Sequence, residues 1–179
     1  NYSMTFAGGN PICSGTYQLN GSTLGSVIRV NASSNLVIEC NGTIFVGNGT
    51  SVGFNTGAMT NLNNTINGCT FKYYATGFTN GHSNATQIIN NTLIDVATAT
   101  SFSSGARYVT LMGNTIINST SGLYSNFNQV NIVNNIFNGV TSAIRADTTF
   151  LFSNITGNIL LYNYTLNRTS KITLNNVSN

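Results

Sequence analysis

Charge is nearly missing from this chain of 179 residues: six Lys and Arg stand against three Asp and Glu, 5% of the sequence, with a net charge of +3. An ordinary soluble domain carries roughly 25% charged residues, so most forms of recognition through a charged patch are ruled out. Six scattered cations make no basic stripe of the kind that neutralises phosphates, which removes nucleic acid from the expected partners. Proline occurs once and tryptophan not at all. No apolar run approaches the roughly 20 residues of a membrane-spanning helix, so no membrane span is expected. The opening NYSMTFAGGN has neither an initiator Met nor a signal-peptide pattern and reads as the start of a processed chain. The length suits one domain over residues 1–179.

Uncharged polarity takes the place of charge, with 31 Asn, 25 Thr and 18 Ser. Asn-x-Ser/Thr acceptor triplets begin at Asn1, Asn20, Asn31, Asn41, Asn48, Asn63, Asn84, Asn90, Asn118, Asn154, Asn163, Asn167 and Asn176. That is about twice the number these residue frequencies produce by chance. The excess points to N-linked glycans and an extracellular, cell-surface location, where glycan supplies the solubility that charge does not. So few carboxylates leave little to protonate on acidification, which fits an acidic habitat. Six Asn-Gly pairs argue against a hyperthermophilic one, where labile Asn is avoided.

The segments TINGCTF, QIINNTL, TLMGNTI, NIVNNIF and NITGNIL are copies of one pattern. Anchored on their fifth residues, Cys69, Asn91, Asn114, Asn135 and Asn158, they recur at intervals of 22, 23, 21 and 23. Three residues before each anchor stand Ile66, Ile88, Leu111, Ile132 and Ile155; two after it stand Phe71, Leu93, Ile116, Phe137 and Leu160. Eight after the first four anchors come the small residues Gly77, Ala99, Gly122 and Ala143. A shortened final copy, ITLNNVS, offers Asn175 as a further anchor flanked by Ile172 and Val177.

Short segments rich in β-branched residues, divided by Asn, Gly, Ser and Thr, read as strand and turn rather than helix. One such unit cannot bury its own apolar face. Units stacked at the roughly 4.8 Å inter-strand spacing bury these columns as one core. The expected fold is therefore all-β, a parallel β-helix or solenoid of about seven rungs with a period near 22 residues. Positions three before and two after the anchor differ by five, which strict alternation puts on opposite sides, so a bend lies between them. Asn91, Asn114, Asn135, Asn158 and Asn175 stacked there are expected to hydrogen-bond along the column as an Asn ladder.

These columns and the ladder resemble the right-handed parallel β-helix of the pectate-lyase-like superfamily. Residues 14–49, SGTYQLNGSTLGSVIRVNASSNLVIECNGTIFVGNG, are also similar to the opening rungs of β-helix repeat proteins on archaeal cell surfaces. The likeness implies β-helix rungs over residues 14–179 behind an N-terminal extension, residues 1–13. By its place in those opening rungs Cys13 is expected to pair with Cys40, leaving Cys69 as a free thiol; Cys40 with Cys69 on stacked rungs is the alternative. The superfamily hosts lyases, hydrolases, adhesins and structural proteins, so the resemblance is nearly silent about function.

Polysaccharide cleavage on such a fold needs carboxylates, or calcium held by carboxylates, gathered on one side of neighbouring rungs. Asp95 lies four residues after its anchor, Asp147 twelve after its own, and Glu39 in an early strand, so convergence is not expected. No catalytic residue, cofactor or metal ligand is assigned. His82 sits alone in the loop TNGHSNAT. Arg145 and Arg168, each ten after an anchor, are expected to stack on adjacent rungs. Tyr73, Tyr74, Tyr108, Tyr124, Tyr162 and Tyr164 are candidates for a sugar-stacking track.

The reading that follows is a non-enzymatic structural subunit of a heavily N-glycosylated extracellular filament or cell-surface structure. The last rung, KITLNNVSN, carries no capping helix, proline or charge cluster, and the apolar residues 1–13 are expected to add as a strand to the next copy, head to tail. Identical subunits and covalent glycans are thus the expected partners. The alternative is a carbohydrate-binding or polysaccharide-degrading β-helix, or an adhesin domain cut from a longer surface protein.

Overall fold

The computed structural model describes residues 4–6, 15–18, 26–30, 34–56, 63–80, 84–102, 106–125, 129–146, 153–163, 168–169 and 172–174. Within them the chain is a parallel β-solenoid with three sheets. Sheet 1 stacks Val37–Glu39, Thr65–Asn67, Gln87–Ile89, Val109–Met112, Val130–Val133 and Asn154–Thr156. Sheet 2 stacks Thr16–Gln18, Ile44–Val46, Thr70–Lys72, Thr92–Ile94, Thr115–Ile117, Ile136–Asn138 and Ile159–Asn163, with Arg168–Thr169 antiparallel to the last. Sheet 3 stacks Met4–Phe6, Ser26–Val30, Val52–Asn55, Thr76–Asn80, Thr98–Phe102, Ser121–Ser125, Ser142–Ala146 and Ile172–Leu174. Among the described residues no helix is long and apolar enough to cross a membrane.

The chain visits sheets 1, 2 and 3 in turn, making five complete rungs between Val37 and Ala146. About seven were expected. The difference lies at the two ends: below the first complete rung only sheets 2 and 3 have described strands, and above the fifth the antiparallel strand interrupts the pattern.

The registers reproduce the sequence columns. Ile38, Ile66, Ile88, Leu111, Ile132 and Ile155 stand opposite one another in sheet 1. Tyr17, Phe45, Phe71, Leu93, Ile116, Phe137 and Leu160 do so in sheet 2. In three-residue strands such as Thr65–Asn67 and Thr92–Ile94 alternation turns only the middle residue inward. Sheet 3 differs, because two adjacent residues are buried there, as Gly53 and Phe54 show. One of the two must be small. A Cβ on Gly122 would meet the Phe137 ring at 2.8 Å as well as the Ala143 carbonyl, and one on Gly77 would strike Leu93 and the Ala99 carbonyl.

Each rung turns three corners on residues with positive φ. Gly68, Asn90, Gly113, Asn134 and Gly157 turn sheet 1 into sheet 2; Tyr73, Asp95, Asn118 and Gly139 turn sheet 2 into sheet 3; Asn35, Asn63, Ala85, Tyr108 and Gln129 lead back to sheet 1. Gly and Asn dominate because they enter the left-handed region most cheaply. The bend expected at the anchor is therefore made one residue earlier.

One expectation about the ends is corrected. Ile172 pairs with Ile144 and Leu174 with Ala146, so the ITLNNVS copy belongs to sheet 3 and not to sheet 1. An interval of 17 residues is too short for three strands and their corners, so this segment extends sheet 3 instead of opening a further rung. Asn175, its supposed ladder member, lies outside the described residues. At the other end Met4–Phe6 pairs with Ile28–Val30 of the same chain. Residues 4–6 of the expected intersubunit arm thus have a strand partner within the chain.

Candidate functional site

The anchor column carries a repeated set of hydrogen bonds from rung to rung. Oδ1 of each anchor Asn accepts the backbone N–H of the anchor one rung earlier: Cys69 to Asn91, Asn91 to Asn114, Asn114 to Asn135 and Asn135 to Asn158, all at 2.9 Å. Each Nδ2 reaches back to a carbonyl of sheet 1 in the earlier rung, Asn91 to Ile66 (3.0 Å), Asn114 to Ile88 (2.8 Å), Asn135 to Leu111 (3.0 Å) and Asn158 to Ile132 (2.7 Å). Nδ2 of Asn91, Asn114 and Asn135 also donates to Oδ1 of the next amide at 3.2, 2.9 and 3.0 Å. Asn91, Asn114 and Asn135 are buried, and these bonds offset the cost of taking their amides from water. A second column does similar work before sheet 1, where Asn64 Oδ1 accepts from Leu36 N–H (2.9 Å) and Ser153 Oγ from Val130 N–H (3.2 Å).

At Cys69 the amide ladder gives way to a disulfide. Cys69 is bonded to Cys40, with Cα atoms 4.9 Å apart and a sequence separation of 29. This corrects the expected Cys13–Cys40 bridge and the free Cys69; Cys13 itself lies outside the described residues. The cause is a longer first complete rung, both in its corner from sheet 1 to sheet 2 and in its return, since Ile44 and Thr70 are 26 residues apart (70 − 44) and Thr70 and Thr92 only 22 (92 − 70). There sheet 1 ends at Glu39 and sheet 2 resumes at Ile44, whereas one rung later Asn67 is followed by Thr70. The extra residues hide Cys40 from a 22-residue count while leaving it against Cys69 on the stacked rung. Both cysteines are buried.

The charged and aromatic candidates spread over separate faces. Glu39 lies on sheet 1 and accepts a hydrogen bond from Asn67 Nδ2 at 2.7 Å, whereas Asp95 is an exposed corner residue between sheets 2 and 3. Asp147 and His82 lie outside the described residues. Among the described residues no three His, Cys, Asp or Glu side chains gather as a metal site. The expected Arg145–Arg168 stack is not formed: Arg145 stands opposite Thr173 in sheet 3, while Arg168 pairs with Asn163 beside sheet 2. The antiparallel pairing keeps Arg168 beside sheet 2. Arg145 instead lies 5.5 Å from the centre of the Tyr124 ring. Tyr74 is buried, Tyr73 and Tyr108 are exposed on different corners, Tyr162 lies in a strand of sheet 2 and Tyr164 is outside the described residues, so these rings make no single track.

Of the glycan acceptor candidates, Asn41, Asn48, Asn63, Asn90 and Asn154 are exposed, while Asn84 and Asn118 are half-buried. Asn163 ends a strand of sheet 2; Asn1, Asn20, Asn31, Asn167 and Asn176 lie outside the described residues. At Asn48 the Thr50 hydroxyl donates to Asn48 Oδ1 at 2.8 Å. Asn63 and Asn90 instead use Nδ2 between rungs, toward Asn35 Oδ1 (3.0 Å) and Asn67 Oδ1 (3.3 Å). The corners also account for part of the triplet excess. Asn41, Asn63, Asn90 and Asn118 have positive φ, and Thr65 and Thr92 open the strands that follow two of them. A left-handed corner favours Asn and a strand favours Thr, so solenoid geometry writes Asn-x-Thr on its own.

The left-handed corners are the geometry that the sequence columns missed. Their signal is present as the Gly or Asn directly before each anchor, in GC, NN, GN, NN and GN. No protein-family model, curated protein or solved structure matches the chain.

Proposed function

We propose that the chain is a non-enzymatic structural subunit of an N-glycosylated extracellular or cell-surface assembly, in which copies stack end to end along the solenoid axis. The last described rung of sheets 1 and 2 carries this reading. Ile155 and Leu160 are only partly buried, whereas Ile132 and Phe137, their column neighbours one rung earlier, are fully buried. A further rung from a second copy would complete that burial, with main-chain bonds along the edge strand Asn154–Thr156. The buried Cys40–Cys69 bridge supports an oxidising compartment, and the likeness of residues 14–49 to archaeal surface proteins supports a cell-surface setting. Sedimentation and electron microscopy of the glycosylated, oxidised chain over a rising concentration series test the proposal. Ordered stacks are expected; a species that stays monomeric throughout rejects it.

A second reading, carbohydrate binding, draws on Tyr124 and Arg145, whose ring and guanidinium lie together on sheet 3. Titration with neutral and acidic oligosaccharides, compared with Tyr124→Ala, tests it; no binding by the parent chain rejects it.

A further inference from the structure

Four Asn-Gly pairs lie within the described residues, Asn41-Gly42, Asn48-Gly49, Asn67-Gly68 and Asn138-Gly139. Such pairs share one intrinsic chemistry. The glycine amide nitrogen attacks the Asn side-chain carbonyl carbon, the nitrogen loses its proton, and the side-chain nitrogen leaves as ammonia to give a five-membered succinimide. Water then opens that ring at either carbonyl, producing aspartate or isoaspartate.

The solenoid treats the four nucleophiles differently. The N–H of Gly49 donates to the Tyr73 carbonyl (2.6 Å), that of Gly68 to Ile89 (3.2 Å) and that of Gly139 to Leu161 (3.2 Å). Each is a rung-to-rung bond, so freeing the nitrogen means parting stacked rungs. Two of the three side chains are also held. Asn48 Oδ1 accepts from the Thr50 backbone and hydroxyl at 3.1 and 2.8 Å, and Asn67 is fixed between Glu39 Oε2 (2.7 Å) and Asn90 Nδ2 (3.3 Å).

Asn41-Gly42 has none of these restraints. The Gly42 N–H finds no acceptor among the described residues, both residues are exposed, and a Cβ on Gly42 would meet nothing within 4 Å. The pair forms the tip of the lengthened corner, with φ of 48° and 77°, closed by the Thr43 N–H donating to the Cys40 carbonyl at 2.8 Å. Opening that one turn leaves every rung-to-rung bond in place, and local openings of this kind are far cheaper than sub-global ones.

We infer that Asn41-Gly42 is a modification site of the folded chain, where succinimide chemistry selectively converts Asn41 to aspartate and isoaspartate. The product adds a carboxylate to a chain that has three Asp and Glu in total, beside the bridge at Cys40. A glycan on Asn41 Nδ2 would block the reaction by replacing the leaving group, so the unglycosylated chain is the correct sample.

The test is to incubate oxidised, unglycosylated full-length protein at mildly alkaline pH and follow each Asn-Gly peptide by mass spectrometry. Isoaspartate is assigned by its separate elution. In the folded chain Asn41 is expected to convert at least about tenfold faster than Asn48, Asn67 and Asn138, because they need the larger opening. In chain unfolded by denaturant and reductant the four rates should draw together, and Gly42→Ala should slow only the Asn41 peptide. Equal rates in the folded chain, or faster conversion at any of the other three, overturn the inference. Rates that stay apart after unfolding do so too, by showing that local sequence sets the order.

Discussion

Asn91 gives both its backbone N–H (2.9 Å) and its side-chain amide (3.2 Å) to a single oxygen, Oδ1 of Asn114. The same side chain sends its own Nδ2 to the Ile88 carbonyl at 2.8 Å. With its own N–H and Nδ2 on Asn135 Oδ1 (both 2.9 Å), Asn114 ties together three rungs, and no apolar residue of similar volume can do so. Asn114→Leu should strand the Asn91 N–H and deprive the Ile88 carbonyl of its side-chain donor, at about 1–3 kcal/mol for each buried group left unsatisfied. Urea unfolding should show the midpoint fall sharply. A Leu variant as stable as the parent would remove the ladder from the account of stability.

Gly122→Ala tests the small column of sheet 3. Its added methyl would press on the Phe137 ring at 2.8 Å and on the Ala143 carbonyl, so a loss of about 1–3 kcal/mol from overpacking is expected. The sign is informative: elsewhere a glycine in a strand costs stability relative to alanine. A Gly122→Ala variant with a raised thermal midpoint would show that the neighbouring rungs yield.

The sequence carried the columns because stacking demands identical chemistry at identical places: Ile66, Ile88, Leu111 and Ile132 had to recur if they were to face one another. The amide ladder was legible for the same reason. What escaped is where the period breaks. Cys40 sits 29 residues before Cys69 instead of 22 or 23, so an interval count passes over it, and only its position on the stacked rung reveals the pair. Ile172 was put in the wrong sheet by the opposite error, since its local motif fits the repeat while the residues between do not suffice for a rung. The acceptor triplets carried two messages at once. At Asn63 and Asn90 the corner conformation and the following strand favour the pattern whether or not a sugar is attached.

Reduction of the Cys40–Cys69 bridge should cost about 3–4 kcal/mol on a chain-entropy estimate for a loop of this size, the sequence separation being 29. Paired denaturation curves with and without reductant measure it. The bridge is buried, so in the folded protein reduction should follow unfolding rather than precede it. Non-reducing peptide maps should place Cys40 and Cys69 in one linked fragment, and a Cys13–Cys40 fragment in fully folded protein would contradict the structure.

Stability should respond to pH unequally on the two sides of neutrality. Only three side-chain carboxylates and one histidine exist to take up protons, so urea midpoints near pH 3 and pH 7 should differ little. On the alkaline side burial pushes the phenol of Tyr74 well above the ordinary tyrosine value near 10. The unfolded chain therefore releases this proton first, and linkage makes stability fall as pH rises above about 10, by at most about 1.4 kcal/mol per pH unit for one such group. Below that value the contribution is fully present. Tyr74→Phe removes the titrating group while keeping the ring against Phe71, so it should flatten the alkaline decline relative to the parent. The comparison must be made on slopes, because loss of the hydroxyl shifts the whole curve. A Phe variant whose stability falls as steeply above pH 10 as the parent's would assign the decline to other tyrosines.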